Sequence, residues 1–280
     1  MRITSQCYDC LKKLAGQASG LATEDCALAE LARLEGEKAL ESKFQPGEIS
    51  IVIASAIHDA VKGVTGNPDA YRSMKDAEME IARQLYSSVK DGFGHDFPGL
   101  LKLAALGNSI DFFRPIEEVK REIAGRELSF TINDSALLEG KVKQAKLMLY
   151  LADNTGEVFF DMPLLNLMRK YGRTVYVVKE SPVQNDITIE EIRKAGLEKE
   201  AGEVMTTGTA TAGIDFSLAS EEFKDMFNRA DFVLAKGMGY YETLEELPAD
   251  GRIFFCLKAK CAPVAEWLKV PLFSFVAMLH

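Results

Sequence analysis

The second half of the chain alternates short apolar runs with longer amphipathic segments, and this alternation constrains the fold more than any other feature. The apolar runs predict strands, and the amphipathic segments between them predict helices. Strands that alternate with helices form βαβ units, so we predict a mostly parallel sheet covered on both faces and an α/β fold class. The predicted strands are 146–152, 174–179, 203–207, 231–236 and 252–257, and the predicted helices are 157–171, 188–196, 219–229 and 262–269.

The first part of the chain predicts helices alone. Its segments are rich in good helix formers and end at glycine or at turn residues such as those of TGNP. The predicted helices are 7–19, 24–42, 46–63, 70–90 and 100–106. Because the composition changes between 115 and 140, we predict a helical subdomain over residues 1–130 and an α/β domain over residues 131–280.

Composition and charge exclude several classes of function. The net charge of −9 argues against a nucleic-acid partner, because contacts with phosphates need clustered Lys and Arg. No apolar run is long enough to span a membrane, and the N-terminus lacks the apolar stretch of a signal peptide. Five cysteines, an odd number, fit a reducing compartment. We therefore expect a cytoplasmic protein without a membrane partner, whose oligomeric state the sequence does not predict.

Polar residues follow the predicted strands at the positions where α/β sheets build ligand sites. Asp153 and Asn154 come directly after strand 146–152, and Asp186 follows strand 174–179 after a short loop. The carboxyl ends of parallel strands lie at one edge of a sheet, so we expect these three residues to meet there. Two carboxylates and an amide oxygen form half of a coordination shell for Mg²⁺ or Mn²⁺. The sequence thus predicts a metal site.

Lys236 ends strand 231–236 and is followed by Gly237, Met238 and Gly239. On a glycine-flanked turn, its ammonium could hold a phosphate as a point charge. An ordinary turn at the end of a strand is an equally good interpretation of this segment.

Local helix capping offers an alternative to the metal site. Asn154 and Glu157 have the spacing of a capping box, as do Thr188 and Glu191. Asp186 could likewise cap the helix that follows it. Spacing alone leaves both interpretations open.

The cysteines and the missing motifs narrow the chemistry further. Cys7, Cys10, Cys256 and Cys261 could form a metal site or a redox pair, but no second CxxC and no spaced histidines complete a zinc site, so free thiols are favoured. HExxH, a Walker lysine loop, GxGxxG after a first strand and GxSxG are all absent from the sequence.

Several segments together resemble one known family. The chain is similar to the metal-dependent damage-control phosphatases, once catalogued as domain of unknown function eighty-nine, and most similar to the archaeal-type branch with an N-terminal CxxC. The matching segments are CYDC (7–10), GNPDAY (66–71), GNSIDF (107–112), DNTGEVFFD (153–161), NDIT (185–188), KGMGYYE (236–242) and LKAKC (257–261).

The resemblance implies a fold, a metal and a set of site residues. It implies an N-terminal helical subdomain on a three-layer α/β/α, Rossmann-like domain, and a divalent ion such as Mg²⁺, Mn²⁺, Co²⁺ or Ni²⁺. Asp153, Asn154 and Asp186 would bind this ion, and Lys236 would contact the substrate phosphate. The resemblance also places three residues near the pocket that binds the substrate, namely Asn108, Asp111 and Glu242. Tyr240 stands where the family usually has Asn, which bears on the identity of the substrate more than on the reaction.

The hypothesis from sequence is a metal-dependent phosphatase that hydrolyses small phosphometabolites, such as sugar phosphates and damaged metabolites. Asp153 and Lys236 would be its catalytic residues, with either a water or a carboxylate such as Asp153 as the attacking group. Two rivals remain at this point. One is a nonenzymatic protein that binds a nucleotide or a phosphometabolite, and the other is a carboxyl methyltransferase, which the loop 153–156 fits poorly for lack of a glycine-rich sequence.

Overall fold

The structure, a computed structural model, describes residues 1–109 and 128–280. Residues 1–109 form five α-helices, joined by short loops and a single 3-10 turn at Lys90–Gly92. Asp25 and Asp96 cap two of them, accepting hydrogen bonds from backbone N–H groups of the first turn. The helices are α1 (Ser5–Ala22), α2 (Cys26–Lys43), α3 (Ser50–Thr65), α4 (Arg72–Val89) and α5 (Phe97–Gly107).

The remaining described residues form a sheet and its covering helices. The strands are β1 (Phe130–Asn133), β2 (Leu147–Leu151), β3 (Arg173–Val178), β4 (Val204–Thr206), β5 (Phe232–Lys236), β6 (Ile253–Lys258) and β7 (Phe275–Leu279). The helices are α6 (Ser135–Gln144), α7 (Val158–Met168), α8 (Ile189–Ala195), α9 (Glu198–Ala201), α10 (Glu221–Arg229), α11 (Gly237–Leu244) and α12 (Ala262–Leu268), and a 3-10 turn at Thr155–Glu157 precedes α7.

The seven strands form one sheet in the order β1-β7-β6-β5-β2-β3-β4. All neighbouring strands are parallel except β6 and β7, which are antiparallel. The predicted mostly parallel α/β sheet is therefore confirmed. Each of the five predicted strands agrees with an observed strand to within one residue at both ends.

The sheet separates two apolar cores because side chains alternate between its faces along each strand. On one face, Tyr150 and Tyr176 pack with helices α4, α5 and α7. On the other face, Leu149 and Val177 pack with α10, α11 and α12. The result is the expected three-layer α/β/α arrangement.

The N-terminal helices divide between two cores. Helices α1, α2 and α3 share a small apolar core that contains Leu11, Leu40 and Ile57, whereas α4 and α5 contribute to the core of the sheet. The division into residues 1–130 and 131–280 stays a prediction. No helix among the described residues has the length and apolar character needed to cross a bilayer.

Candidate active site

The course of the chain through the sheet reverses at β2. From β2 the chain proceeds to β3 and β4 on one side, then returns to β5 on the other side of β2. Loops after neighbouring strands diverge at such a point, and open α/β sheets bind their ligands in the opening. Asp153 follows β2 and Gly237 follows β5, so the most distinctive segments of the sequence lie at this reversal.

The backbone holds the loops that carry the three predicted metal ligands against each other. Asn154 and Asp186 form an isolated antiparallel bridge. The N–H of Ile187 donates to the carbonyl of Asp153, and the N–H of Thr155 donates to the carbonyl of Asn185, both at 2.9 Å. The structure thus brings Asp153, Asn154 and Asp186 together, and we refer to these three residues as the Asp153–Asp186 centre.

Helix capping does not account for the two loops. The side chain of Asn154 caps no helix; its Nδ2 donates to Asp153 Oδ2 at 2.9 Å and to Glu157 Oε1 at 2.7 Å. Asp186 caps no helix either, because Thr188 is the N-cap residue of α8 and forms the predicted capping box with Glu191. The orientation of Asn154 leaves its Oδ1, the atom suited to bind a cation, outside these hydrogen bonds.

The Asp153–Asp186 centre is short of positive charge. Oδ2 of Asp186 is buried and has no hydrogen-bond partner among the described residues; the Lys179 ammonium lies 3.5 Å from it. Burial raises the pKa of Asp186 to about 6, against the opposing effect of Lys179. Burial, with the charges of Glu157 and Asp186, also raises the pKa of Asp153 well above its usual range.

The donor set suits a divalent cation with a preference for oxygen. An unpaired buried carboxylate oxygen is costly, and a cation would offset that cost. In residues 1–109 and 128–280, no three side chains of the types His, Cys, Asp and Glu are grouped to hold a metal ion. The predicted set has two carboxylates and takes its third oxygen from the amide of Asn154, so it lies outside that class.

Lys236 lies beneath this centre in a fully paired environment. Its ammonium donates to Glu157 Oε2 at 2.8 Å, to Asp161 Oδ1 at 2.7 Å and to the carbonyl oxygen of Ala104 at 2.9 Å. Tyr150 and Tyr176 donate their hydroxyl protons to Asp161. We refer to Lys236, Glu157 and Asp161 as the Lys236 cluster.

The Lys236 cluster is closed to solvent and to a phosphate. Lys236 has no exposed surface, and its three ammonium protons are all donated within the protein. Burial raises the pKa of Glu157, but the positive charges of Lys236 and Lys260 outweigh it, so the pKa is lowered and Glu157 stays ionised. This geometry favours a charge-balancing role for Lys236 over the direct phosphate contact expected from sequence.

Gly237 marks the start of a helix rather than an ordinary turn. Helix α11 begins at this residue, whose φ of +78° lies in the left-handed region. A Cβ atom here would lie 1.9 Å from Asp153 Oδ2. The sequence thus needs glycine at position 237 both for the backbone conformation and for the approach to the carboxylate.

Tyr240 pairs with a second buried lysine. The Lys179 ammonium donates to the Tyr240 hydroxyl at 2.9 Å and to the carbonyl oxygen of Gly213 at 2.5 Å. Both side chains are fully buried. Tyr240 therefore contributes to the wall beside Asp186 by holding Lys179.

Asn108, Asp111 and Glu242 were expected near the pocket, with different outcomes. Asn108 Nδ2 donates to Asp153 Oδ2 at 3.0 Å and to Glu157 Oε1 at 2.7 Å, so it bridges the centre and the Lys236 cluster. Asp111 lies outside the described residues. Glu242 accepts a hydrogen bond from the Ser50 hydroxyl at the start of α3, a contact that links α11 to the N-terminal helices.

Lys260 is a candidate site residue that sequence reasoning missed. It follows β6, whose C-terminal end lies beside that of β5, and it is partly exposed. Its positive charge opposes the rise in pKa that burial causes at Asp153 and Glu78, and it helps to lower the pKa of Glu157. The signal was present in the segment LKAKC, because Lys260 lies three residues after the end of the predicted strand 252–257.

The five cysteines are free thiols, as the sequence favoured. Cys7 and Cys256 are buried, Cys261 is partly buried, and Cys10 and Cys26 are exposed. None of them belongs to the Asp153–Asp186 centre or to the Lys236 cluster.

Known proteins resemble this chain over nearly its full length. A family profile described as the damage-control phosphatase ARMT1-like domain matches residues 2–275. A protein of Pyrococcus horikoshii named damage-control phosphatase is 37% identical over 286 residues, which cover 99% of this chain and 98% of that protein. A protein of Archaeoglobus fulgidus with the same name is 31% identical over 290 residues, or 99% of each chain. The crystal structure of a DUF89 family protein from P. horikoshii superimposes with a TM-score of 0.91 at 35% identity, covering 100% of this chain and 99% of that one.

Proposed function

Because this chain belongs to the damage-control phosphatase ARMT1-like family, we propose that it is a phosphatase of small phosphorylated metabolites and that its activity depends on a divalent metal ion. Relatives that align over nearly the whole chain carry the name damage-control phosphatase, which supports a substrate class of damaged metabolites. Sugar phosphates and a cytoplasmic location belong to the same proposal.

The observation that carries metal dependence is the unpaired oxygen of Asp186. Asp186 is buried and Asp153 is partly buried beside it, and Oδ2 of Asp186 lacks a hydrogen bond from any described residue. In our proposal, Asp153, Asn154 and Asp186 hold the ion. Oxygen ligands favour Mg²⁺ or Mn²⁺, with Co²⁺ and Ni²⁺ as further candidates. A cation bound there would supply Lewis-acid polarisation of a phosphoryl oxygen.

In this proposal, Lys260 and Lys236 have different electrostatic roles. We assign the contact with the substrate phosphate to Lys260, because it is partly exposed and its charge reaches Asp153 and Glu157. Lys236 acts indirectly: its hydrogen bond keeps Glu157 ionised, and Glu157 accepts from the amides of Asn108 and Asn154. Those amides in turn fix Asp153 Oδ2.

The test is release of inorganic phosphate from a panel of sugar phosphates, after EDTA treatment and after addition of each metal. We expect activity only with a divalent ion, and a loss of at least about a hundredfold in Asp186→Asn and in Lys260→Met, as for other groups that stabilise a transition-state charge. Glu190→Gln is the matched control, because Glu190 is exposed at the start of α8, close to Asp186 in sequence.

Two results would contradict the proposal. Full activity in EDTA would show that the reaction needs no metal ion. An unchanged rate in Asp186→Asn would show that the Asp153–Asp186 centre is not the site of the reaction. Tight retention of a phosphorylated ligand without phosphate release under any metal would favour the nonenzymatic binding protein instead.

A further inference from the structure

Helix α4 places a carboxylate between the two loops of the Asp153–Asp186 centre. Glu78 is fully buried. Its Oε1 accepts a hydrogen bond from the N–H of Gly156 at 2.7 Å, and its Oε2 accepts one from Asn185 Nδ2 at 3.1 Å. Gly156 lies two residues after Asn154, and Asn185 directly precedes Asp186. The two oxygens of one side chain therefore connect the loops that carry all three proposed ligands.

The helix is held close to this point by further contacts. A Cβ atom on Gly156 would lie 2.9 Å from Glu78 Cγ and 3.0 Å from Ala82 Cβ, so α4 packs directly on the loop. One turn earlier, the Lys75 ammonium lies 2.7 Å from Glu191 Oε1 of α8 and 2.9 Å from Asp69 Oδ2. Glu78 thus projects from a segment that is anchored on both sides of the loops.

The chemical identity of residue 78 matters for these links. Both partners are N–H donors, and a carboxylate offers an acceptor to each, whereas an amide of the same size offers only one acceptor. Burial, together with the charge of Glu157, raises the pKa of Glu78 well above its usual range, and the two donors only partly oppose this cost. In return, the two hydrogen bonds of Glu78 fix the spacing of the two loops.

We propose that Glu78 is a positioning residue that sets the separation of the two loops and thereby the metal affinity of the Asp153–Asp186 centre. The inference rests on the proposed metal dependence, and Glu78 itself touches neither the ion nor the substrate. Partners that orient metal ligands typically change metal affinity by about 10–100-fold when they are removed.

The experiment compares Mn²⁺ binding by the full chain, measured by calorimetric titration, in wild type and Glu78→Gln. We expect about 10–100-fold weaker binding in the variant, with kcat at saturating Mn²⁺ within a few-fold of wild type. Glu80→Gln is the matched control, since Glu80 lies on the same helix, is exposed and pairs only with Gln84 among the described residues. Its Mn²⁺ affinity should be unchanged.

Two measurements separate positioning from a general effect on stability. A purely structural role would lower the free energy of unfolding in EDTA and leave the Mn²⁺ affinity of the folded protein unchanged, and that result overturns the inference. If Glu78→Gln does not fold, Asn185→Ala removes the second link from the other side and should weaken Mn²⁺ binding several-fold. Wild-type affinity in Asn185→Ala would then overturn it.

The outcomes also separate this inference from the proposed function. Suppose that wild type binds Mn²⁺, that Asp186→Asn loses this binding and that Glu78→Gln weakens it, but that no substrate is hydrolysed. The phosphatase proposal then fails, while the binding data still support Glu78 as a positioning residue. If wild type binds no divalent ion, both proposals are overturned.

Discussion

The Lys236 cluster and the Asp153–Asp186 centre use similar residues to opposite effect. In the cluster, both carboxylate oxygens of Glu157 and both of Asp161 accept hydrogen bonds from lysine, tyrosine or amide donors. In the centre, Oδ2 of Asp186 accepts none from the described residues. Asn108 bonds to both regions, so they are immediate neighbours.

This difference separates carboxylates that stabilise the fold from carboxylates that are available to bind a cation. A buried carboxylate whose partners are all supplied by the chain stabilises the fold against rearrangement, and removing one partner is costly. A buried carboxylate left short of partners is a place where a cation gains binding energy. The predictions below test this contrast from the largest expected effect to the smallest.

Replacing Lys236, the one positively charged side chain of the Lys236 cluster, should have the largest effect on stability. Lys236→Met leaves Glu157 and Asp161 buried without their positive partner, so we expect the free energy of unfolding to fall by about 3–5 kcal/mol. Urea denaturation in EDTA measures it. Lys199→Met, at an exposed position, is the control and should stay within about 0.5 kcal/mol of wild type. A loss of similar size in both variants would show that the cluster is not structural.

The centre should behave in the opposite way. Asp153→Ala removes a proposed metal ligand but also relieves the crowding of negative charge with Glu157 and Asp186. We expect metal-dependent phosphate release to fall by at least about a hundredfold, with little change in urea denaturation in EDTA. Full turnover in this variant would show that Asp153 is not part of the active site.

The third test uses the pKa of Asp186. Its folded-state pKa of about 6 lies above the ordinary 3.8, so the ionised carboxylate lowers stability above pH 6, and this cost is lost as the pH falls from 6 to below 3.8. In EDTA, Asp186→Asn should therefore be more stable than wild type by about 3 kcal/mol at pH 7.5. The difference should shrink to about 1 kcal/mol at pH 4.5 and approach zero only below about pH 3.5. A variant that is less stable at pH 7.5 would mean that Lys179 already compensates Asp186.

The smallest effect is expected at the border of the centre. Tyr240→Phe removes the hydroxyl that accepts from Lys179, while the carbonyl of Gly213 still accepts. We expect a loss of about 1 kcal/mol in the free energy of unfolding, the usual value for one hydrogen bond. Thermal denaturation in EDTA measures it. A loss as large as that of Lys236→Met would place Lys179 in the same structural class as Lys236.

The sequence predicted the sheet well because its strands are short apolar runs between clear helical segments. It missed β7, FVAML at the end of the chain, and β1, FTIN, which has only four residues. It missed helix α11 because the segment begins with two glycines around one methionine, and glycine disfavours helix interiors. There, the close approach to Asp153 outweighs local propensity.

The site was predicted in part because strand ends are visible in a sequence and buried partners are not. Asp153, Asn154 and Asp186 follow strands, and the backbone bridge between their loops matches that expectation. Glu78 could not be found, because a glutamate within a charged helix has the pattern of a solvent-exposed face. Which of Lys236 and Lys260 is buried also depends on packing that no local pattern encodes.

The geometry around Gly237 closes one route of evolution and leaves others open. With a carboxylate oxygen where a methyl group would go, laboratory libraries aimed at altered substrate range should keep this codon fixed and randomise neighbouring positions instead. Tyr240 is such a position, since it lies on the same helix and its hydroxyl pairs with Lys179 beside Asp186. Variants of this protein would then change around one fixed contact, that of Gly237 at the start of α11 with Asp153 after β2.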